Sequence, residues 1–292
     1  MLLAIDVGNT ETVVGLFVDG PDEGATAGVT ARRVGPGPRR RGSPPASGDG
    51  APPELAGLVH HWRLSTVGER TADEHALLLS QLLDLDGLAA EEVVTGIAVT
   101  SSVPLVTSAL REMADRWFDV PCVVLGPGVR SGMPILYDNP KEVGADRVAN
   151  AIGAYDLYGG PCVVVDLGTA TTFDAISAAG EYLGGAIAPG VAISMDALFR
   201  HAAALRRVEL VEPRSVIAKS TVESIQSGVL YGFAGQVDGM CERFQVELGP
   251  CTVVATGGLS EVIAPFSRRI DYREPWLTLH GLRLVYGRAV GG

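Results

Sequence analysis

The sequence predicts an α/β protein in which one domain type is used twice. Two observations carry this prediction. β-rich runs alternate with amphipathic helical runs along most of the 292 residues. In addition, a strand, an Asp-x-Gly turn and a second strand occur around Asp6 and recur around Asp166. No fixed-period repeat of the solenoid kind accompanies them. Two copies of such a domain facing each other would bring both turns to a common central cleft.

The elements follow in order. Residues 2–6 and 12–18 are β-rich and separated by Gly8-Asn9-Thr10, which is a hairpin signal. Residues 20–57 stand apart, with seven prolines, nine glycines and five arginines and almost no aliphatic periodicity. Such composition cannot bury enough apolar area to offset its ordering entropy, so a flexible insertion is expected there, with Arg39-Arg40-Arg41 as a solvated charge run. Residues 62–65 continue the sheet. Thr71 and Glu74 have the spacing of a capping box ahead of a leucine-rich helix to Leu85. A buried strand is expected at 93–99, an amphipathic helix at 104–118, a strand at 122–125 and a helix at 142–157. The second hairpin spans 163–166 and 171–176, followed by a strand at 182–187 and a helix at 191–204. Ser220 and Glu223 cap a long helix to about 248. A core strand at 252–255 and a closing helix at 277–290 complete the chain. The expected domains are 1–145, carrying the insertion, and 146–292, with the closing helix able to pack back on the first.

Composition narrows the function. With 47% hydrophobic and 20% charged residues the chain is that of a globular protein with a sizeable core. A formal charge of −11 argues against nucleic acid or an anionic membrane as partner, because both require a basic face. Any bound phosphate must therefore be held by local devices. No apolar run has the length of a membrane span, and the N-terminus lacks the basic n-region of a signal peptide. Cys122, Cys162, Cys241 and Cys251 form no CxxC pair and read as buried, reduced thiols, so the expected location is cytoplasmic. Trp62, Trp117 and Trp276 are scattered and read as packing residues. His60-His61 lacks a third ligand at metal spacing. His75 reads as a surface or packing residue.

Four motifs carry chemistry. In Asp6-Val7-Gly8-Asn9-Thr10, glycine lets backbone approach a phosphate, neighbouring amides and the Thr10 hydroxyl can donate to it, and Asp6 can hold Mg2+. Alone, this turn could be an ordinary Asx-type hairpin. Asp166-Leu167-Gly168-Thr169, followed by Ala170-Thr171-Thr172, repeats the pattern and makes a nucleotide cleft the better reading. Thr256-Gly257-Gly258 ends a buried strand, where backbone can lie flat against an adenine or its ribose, or begin a helix near phosphate. In Val143-Gly144-Ala145-Asp146-Arg147, an aspartate and an arginine adjoin at a helix start. They could serve as proton acceptor and anion grip, or as a dipole-favoured aspartate beside a surface arginine. The whole reads as an ATP-dependent phosphotransferase.

Together these blocks resemble type III pantothenate kinase. The matching stretches also include Arg70-Thr71-Ala72-Asp73-Glu74, Ser101-Ser102-Val103-Pro104 and Gly184-Gly185-Ala186-Ile187-Ala188-Pro189-Gly190, so the resemblance covers the chain outside 20–57. It implies two ribonuclease-H-like domains of the actin-like ATPase superfamily around a cleft, and phosphorylation of pantothenate by ATP in the first step of coenzyme A synthesis. It also implies a homodimer, Mg2+ with ATP, and a monovalent cation, K+ or NH4+. By position, Asp6, Val7, Gly8, Asn9, Thr10, Thr169, Gly257 and Gly258 would hold ATP, with Asp6 also on Mg2+. Asp166 would ligate the monovalent cation. Asp146 would be the general base, and Tyr137, Gly144, Ala145, Asp146, Arg147 and Thr221 would contact pantothenate, Thr221 from the partner subunit. Two departures are the 20–57 segment and Ser220-Thr221, where the family often has Asn-Thr. The competing readings are another small-molecule kinase of the superfamily and a non-catalytic ATP-binding regulator, which would need no base at Asp146.

Overall fold

The chain's first apolar run, Leu2-Leu3-Ala4-Ile5, is buried on both faces, which places it at the centre of a covered sheet rather than at an edge. The computed structural model describes residues 1–18, 55–202, 205 and 207–291. Most of the expected insertion, including Arg39-Arg40-Arg41, lies outside the described residues. Its last three residues, 55–57, do not: Leu55 is buried and the Gly57 carbonyl accepts from the Val18 amide at 2.9 Å.

The elements are β1 (Leu2–Val7), β2 (Glu11–Phe17), β3 (Leu58–Ser65), α1 (Ala72–Leu85), α2 (Ala90–Val93), β4 (Gly96–Ser101), α3 (Pro104–Met113), β5 (Cys122–Val124) and α4 (Ala145–Tyr158). There follow β6 (Cys162–Leu167), β7 (Ala170–Ile176), β8 (Tyr182–Pro189), α5 (Val191–His201), α6 (Thr221–Leu248), β9 (Thr252–Thr256), α7 (Ser260–Ile263), β10 (Tyr272–Arg273) and α8 (Leu277–Val290). They form two compact units. The first comprises the described residues up to Leu157 together with those from Trp276 onward; the second holds the described residues of 158–275. The sequence reading ended the first domain at 145; here α4 goes with the first unit, as does α8.

Each unit contains a five-stranded sheet of the same design. The orders are β3-β2-β1-β4-β5 and β10-β9-β6-β7-β8. In both, the central strand pairs antiparallel with the strand that follows it and parallel with the next but two, β4 or β9. The design occurs twice, as the repeated Asp-x-Gly hairpin led us to expect, and it is the ribonuclease-H-like topology that the family resemblance implies.

Side-chain alternation builds each core. Leu3, Ile5 and Val7 of β1 face Leu79 and Leu83 of α1 and Val106 and Leu110 of α3 in one apolar cluster. Val163, Val165 and Leu167 of β6 face Ile225, Leu230 and Val237 of α6 in the other. Each such side chain contributes about 1.5–3 kcal/mol by leaving water. The α1 capping box forms as expected: the Glu74 amide donates to Thr71 Oγ1 at 3.3 Å and the Thr71 amide to Glu74 Oε2 at 2.8 Å.

Several expectations need correction. The 93–99 strand begins at Gly96, because Ala90–Val93 closes a helical turn instead. The 104–118 helix is α-helical only to Met113. It continues as a π turn, Ala114–Phe118, ended by Asp119 in the left-handed region at φ 50°. The 142–157 helix starts at Ala145, after a separate 3-10 turn, Pro140–Glu142. Trp117 is half exposed, with Nε1 donating to Asp73, so only Trp276 of the three tryptophans is buried. Cys162 and Cys241 are buried, whereas Cys122 and Cys251 are partly exposed; all four are free thiols. His75 is a packing residue, buried on the core face of α1. No helix among the described residues is long and apolar enough to cross a membrane.

The helices α4 and α8 approach backbone to backbone at two glycines. A Cβ on Gly281 would lie 1.9 Å from the Ala149 carbonyl oxygen, and one on Gly153 would lie 2.8 Å from that of Leu277. Thr278 donates to Asn150 Oδ1 at 2.7 Å, and His280 Nε2 lies 2.8 Å from Asp156 Oδ2. This seam fixes the α4 register and hence where its N-terminus, with Asp146, projects. Because backbone opposes backbone, Gly281→Ala is expected to lower unfolding free energy by about 2 kcal/mol or more in a denaturant titration. An unchanged midpoint would show that the helices separate at no cost.

Candidate active site

Asp6 lies one residue before the end of β1, paired with Val13 on one side and Thr100 on the other. Alternation places it on the face opposite Leu3, Ile5 and Val7, where it is half-buried. Beyond it the chain turns at Gly8, whose amide donates to the Glu11 carbonyl at 3.0 Å. The turn is braced from both flanks. Thr66, after β3, donates Oγ1 to the Gly8 carbonyl at 2.8 Å and its amide to the Thr10 carbonyl at 3.0 Å. Ser102, after β4, donates its amide to the Val7 carbonyl at 3.0 Å. Asn9 and Thr10 are left exposed at a turn that does not need them for its own shape. The sequence reading did not single out Thr66; Ser102 stood inside a matched block without a role.

The α4 N-terminus carries the second group of residues in this unit. A Cβ on Gly144 would lie 2.4 Å from Asp146 Oδ1, so the Asp146 carboxylate occupies the space a side chain at 144 would take. The Arg147 amide donates to the same oxygen at 2.9 Å. Asp146 is exposed while Arg147 is buried, against the surface-arginine alternative. A carboxylate in the first turn of a helix is favoured by the macrodipole and is presented to solvent. Tyr137 is half-buried in the segment before the 3-10 turn.

The second unit repeats the first turn with tighter backbone packing. Asp166 pairs with Thr172 on β7 and Thr256 on β9, and the Gly168 amide donates to the Ala170 carbonyl at 3.0 Å. Gly257 adopts φ 88°, which favours glycine, and a Cβ there would sit 2.4 Å from Asp166 Oδ1 and 2.7 Å from the Leu167 backbone. The Leu259 amide donates to the Leu167 carbonyl at 3.1 Å, closing the turn onto β6. From the other side, a Cβ on Gly190 would lie 2.1 Å from the Thr169 carbonyl oxygen and 2.7 Å from that of Gly168. Asp166, Thr169, Gly257 and Gly258 are thus brought together in this unit. The expected helix after Gly258 is only the short α7, so its N-terminus is a minor feature.

The four threonines noted around the turns separate. Thr10 and Thr169 are exposed, while Thr171 is buried with Oγ1 lacking a hydrogen-bond partner among the described residues. Thr172 shares a face with Asp166 and donates Oγ1 to Asp174 Oδ2 at 3.1 Å. Asp174 is fully buried and accepts from the Tyr182 hydroxyl at 2.7 Å. With its proton directed to Asp174, the Thr172 hydroxyl keeps lone pairs free on the Asp166 face. The sequence carried no signal for this chain beyond an aspartate in a strand pattern.

Thr221 begins α6, capped by Ser220 Oγ, which accepts the Glu223 amide at 3.3 Å. It lies at the rim of an apolar groove of about 520 Å3 between α5 and α6, lined also by Met195, Leu198, Ile225 and Phe233.

The donor sets suit hard cations. Among the described residues no cluster of three or more His, Cys, Asp or Glu could hold a metal. A single carboxylate at Asp6 fits Mg2+, which is commonly held by one or two carboxylates with nucleotide phosphates and water. The Asp166 carboxylate, the Thr172 hydroxyl and nearby turn carbonyls are oxygen donors of the kind a monovalent cation takes.

Comparison with known proteins bears on family and fold. A family model described as type III pantothenate kinase matches residues 54–243. A type III pantothenate kinase from Saccharopolyspora erythraea is 52% identical over 297 residues, covering 100% of both chains. Those from Streptomyces avermitilis and Myxococcus xanthus are 50% and 48% identical; they cover 99% of this chain and 99% and 98% of their own. Two solved structures share the fold. One, from Campylobacter jejuni and described as a Baf family transcriptional activator, has TM-score 0.54 at 17% identity, covering 99% of this chain and 100% of that one. The other, the activator of 2-hydroxyisocaproyl-CoA dehydratase from Clostridium difficile with bound ADPNP, has TM-score 0.51 at 14% identity, covering 99% and 96%.

Gly257→Ala should cost about 3 kcal/mol of stability, combining a left-handed residue with backbone overlap. It should also weaken ATP binding, followed by calorimetry. Wild-type ATP affinity in the variant would show that the Asp166–Gly257 contact does not shape the site.

Proposed function

The chain belongs to the type III pantothenate kinase family, and from that premise we infer how its residues divide the transfer of phosphate from ATP to pantothenate. The reaction is the first step of coenzyme A synthesis. The observation that carries the assignment of roles is the exposed Asp146 carboxylate, folded over Gly144 at the start of α4 with buried Arg147 beside it.

In this reading Asp146 accepts the proton of the pantothenate hydroxyl as its oxygen attacks the γ-phosphorus. The P–O bond to ADP breaks as the new one forms, and ADP leaves with the electron pair. Phosphoryl transfer asks the protein for in-line positioning and charge neutralisation more than covalent help. Gly144, Ala145, Arg147 and Tyr137 position pantothenate. Asn9 and Thr10 donate to ATP phosphates, Gly8 lets the backbone approach them, Thr169 lines the phosphate site, and Gly257 with Gly258 supplies flat backbone at the adenosine end. Mg2+ held with Asp6 would neutralise phosphate charge, and K+ or NH4+ held by Asp166 would add positive charge.

The homodimer is supported by the α5–α6 groove, beside which Ile193, Leu198 and Val222 are exposed. Apolar patches of this kind mark association surfaces. Thr221 at its rim would then meet the partner's pantothenate. A cytoplasmic location accords with four unpaired thiols and with ATP as substrate.

Two measurements test this reading. With ATP and Mg2+, Asp146→Asn should lower kcat for pantothenate by about 100-fold or more while ATP affinity changes little; retained turnover would remove the base. Thr172→Val should raise the K+ concentration that half-activates the enzyme by about tenfold and shrink the K+-dependent rise in Tm, whereas Thr172→Ser restores both. Unchanged K+ dependence in Thr172→Val would detach the Thr172–Asp174–Tyr182 chain from the cation.

A further inference from the structure

We propose that a concavity at the outer edge of the first sheet binds a small phosphate-bearing anion, at a site separate from the transfer machinery. The concavity measures about 590 Å3, within the range of small-molecule pockets. Its floor is β5, the edge strand of that sheet, with Cys122 and two valines, joined by Val129 from the following loop. Arg111 of α3, Arg130 of that loop, and Arg288 and Ala289 of α8 complete it, and among the described residues no carboxylate lines it.

In a chain of net charge −11 this grouping is unusual. Several arginines elsewhere are paired with acids, as in Arg63–Glu11, Arg116–Glu112, Arg214–Glu223 and Arg269–Glu242. The guanidinium groups of Arg111 and Arg130 make no hydrogen bond or ion pair among the described residues. Arg288 donates Nη1 to the Ser131 carbonyl at 2.6 Å, and its stem crosses Gly132, where a Cβ would lie 2.7 Å from Nη1. Arg288 is thereby held in place and also fastens the loop that bears Arg130. The Asp156 carboxylate of α4 lies within electrostatic reach of Arg288 and offsets part of the repulsion among the three cations; a bound anion would remove the rest. Guanidinium forks match phosphate oxygens in pairs, and three of them suit a dianion or diphosphate better than a single carboxylate. The valine floor would take an apolar group attached to it.

The site lies away from the residues assigned to catalysis within the same unit. β4 stands between β5 and β1 in the sheet, and neither Asp6 nor the α4 N-terminus lines the concavity.

Cys122 supplies a local reporter, because the residue lines the concavity and is partly exposed. Burial raises its pKa despite nearby Arg111, so alkylation is best followed at mildly alkaline pH. The experiment treats the full-length protein with iodoacetamide, with or without inorganic pyrophosphate, and quantifies the Cys122 peptide by mass spectrometry. Pyrophosphate should slow its modification. The double variant Arg111→Gln, Arg130→Gln should need about tenfold more pyrophosphate for the same protection, at unchanged kcat for pantothenate. Calorimetric titration with pyrophosphate, the ATP site being saturated by a Mg2+–ATP analogue, should show one site in the wild type and weakened binding in the double variant. Absence of that site, or protection and heats identical in wild type and variant, would overturn the proposal and leave the arginines as guards against pairing at the edge strand. Equal protection by citrate would overturn the preference for phosphate.

Discussion

Close backbone contact at the end of a central strand is the constraint on which the second half of the structure depends. Gly257 and Gly190 bring two chain segments against the Asp166–Thr169 turn at distances that no Cβ could share. Three segments, β6–β7, the end of β9 and the end of β8, therefore meet at one place with their peptide groups rather than their side chains forward. A surface of peptide groups can donate to phosphate oxygens, accept from a ribose or offer carbonyls to a cation, and it needs no charged side chain. The Asp166 carboxylate, packed beneath Gly257, is held by the same contact that excludes a side chain.

The topology explains why that place is at the end of this strand and of β1. In each sheet the chain leaves the central strand for an antiparallel neighbour on one side and later returns to a parallel neighbour on the other. The connections at the strand's carboxyl end diverge, and the crevice between them is where α/β sheets bind ligands. The strand itself is buried on both faces, so its penultimate residue is the first to regain solvent. An aspartate is tolerable there and would be costly two residues earlier, where Ala4 and Val164 are fully buried. Fold and site thus have one cause.

Much of this was legible in the residues. Alternation, capping residues and the repeated Asp-x-Gly turn indicate the hairpins, the strand pattern and most helices, and α8 spans the residues expected of it. What was hidden depended on contacts distant in sequence. β10 is two residues long and carries no periodicity of its own; it exists because Tyr272 and Arg273 find the free side of β9. The break in the 104–118 helix reflects a local change to π-helical turns that amphipathic spacing does not encode. At the site, the turns and Asp146 could be picked out by type and spacing. The braces could not, because Thr66 and Ser102 reach the first turn across strands and look like ordinary loop hydroxyls. Asp174 and Tyr182 became meaningful only once register placed them on the Asp166 face.

The charge of the chain bears on how phosphate can be bound at all. The sequence contains two lysines, Lys141 and Lys219, and neither lies in a glycine turn. A net charge of −11 sets up a potential that repels ATP at long range, although salt screens it beyond about 10 Å. Binding must then come from short-range donors and from cations that arrive with the nucleotide or sit beside it. Exposed Asn9 and Thr10 on a braced turn, and Thr169 on the other, suit that regime because the backbone that carries them is held before phosphate arrives. A lysine in the same turn would bind phosphate as a point charge on a flexible stem. Delegating positive charge to metal ions would keep the protein's own contribution rigid, and the proposed ion roles of Asp6 and Asp166 would then make activity depend on those ions.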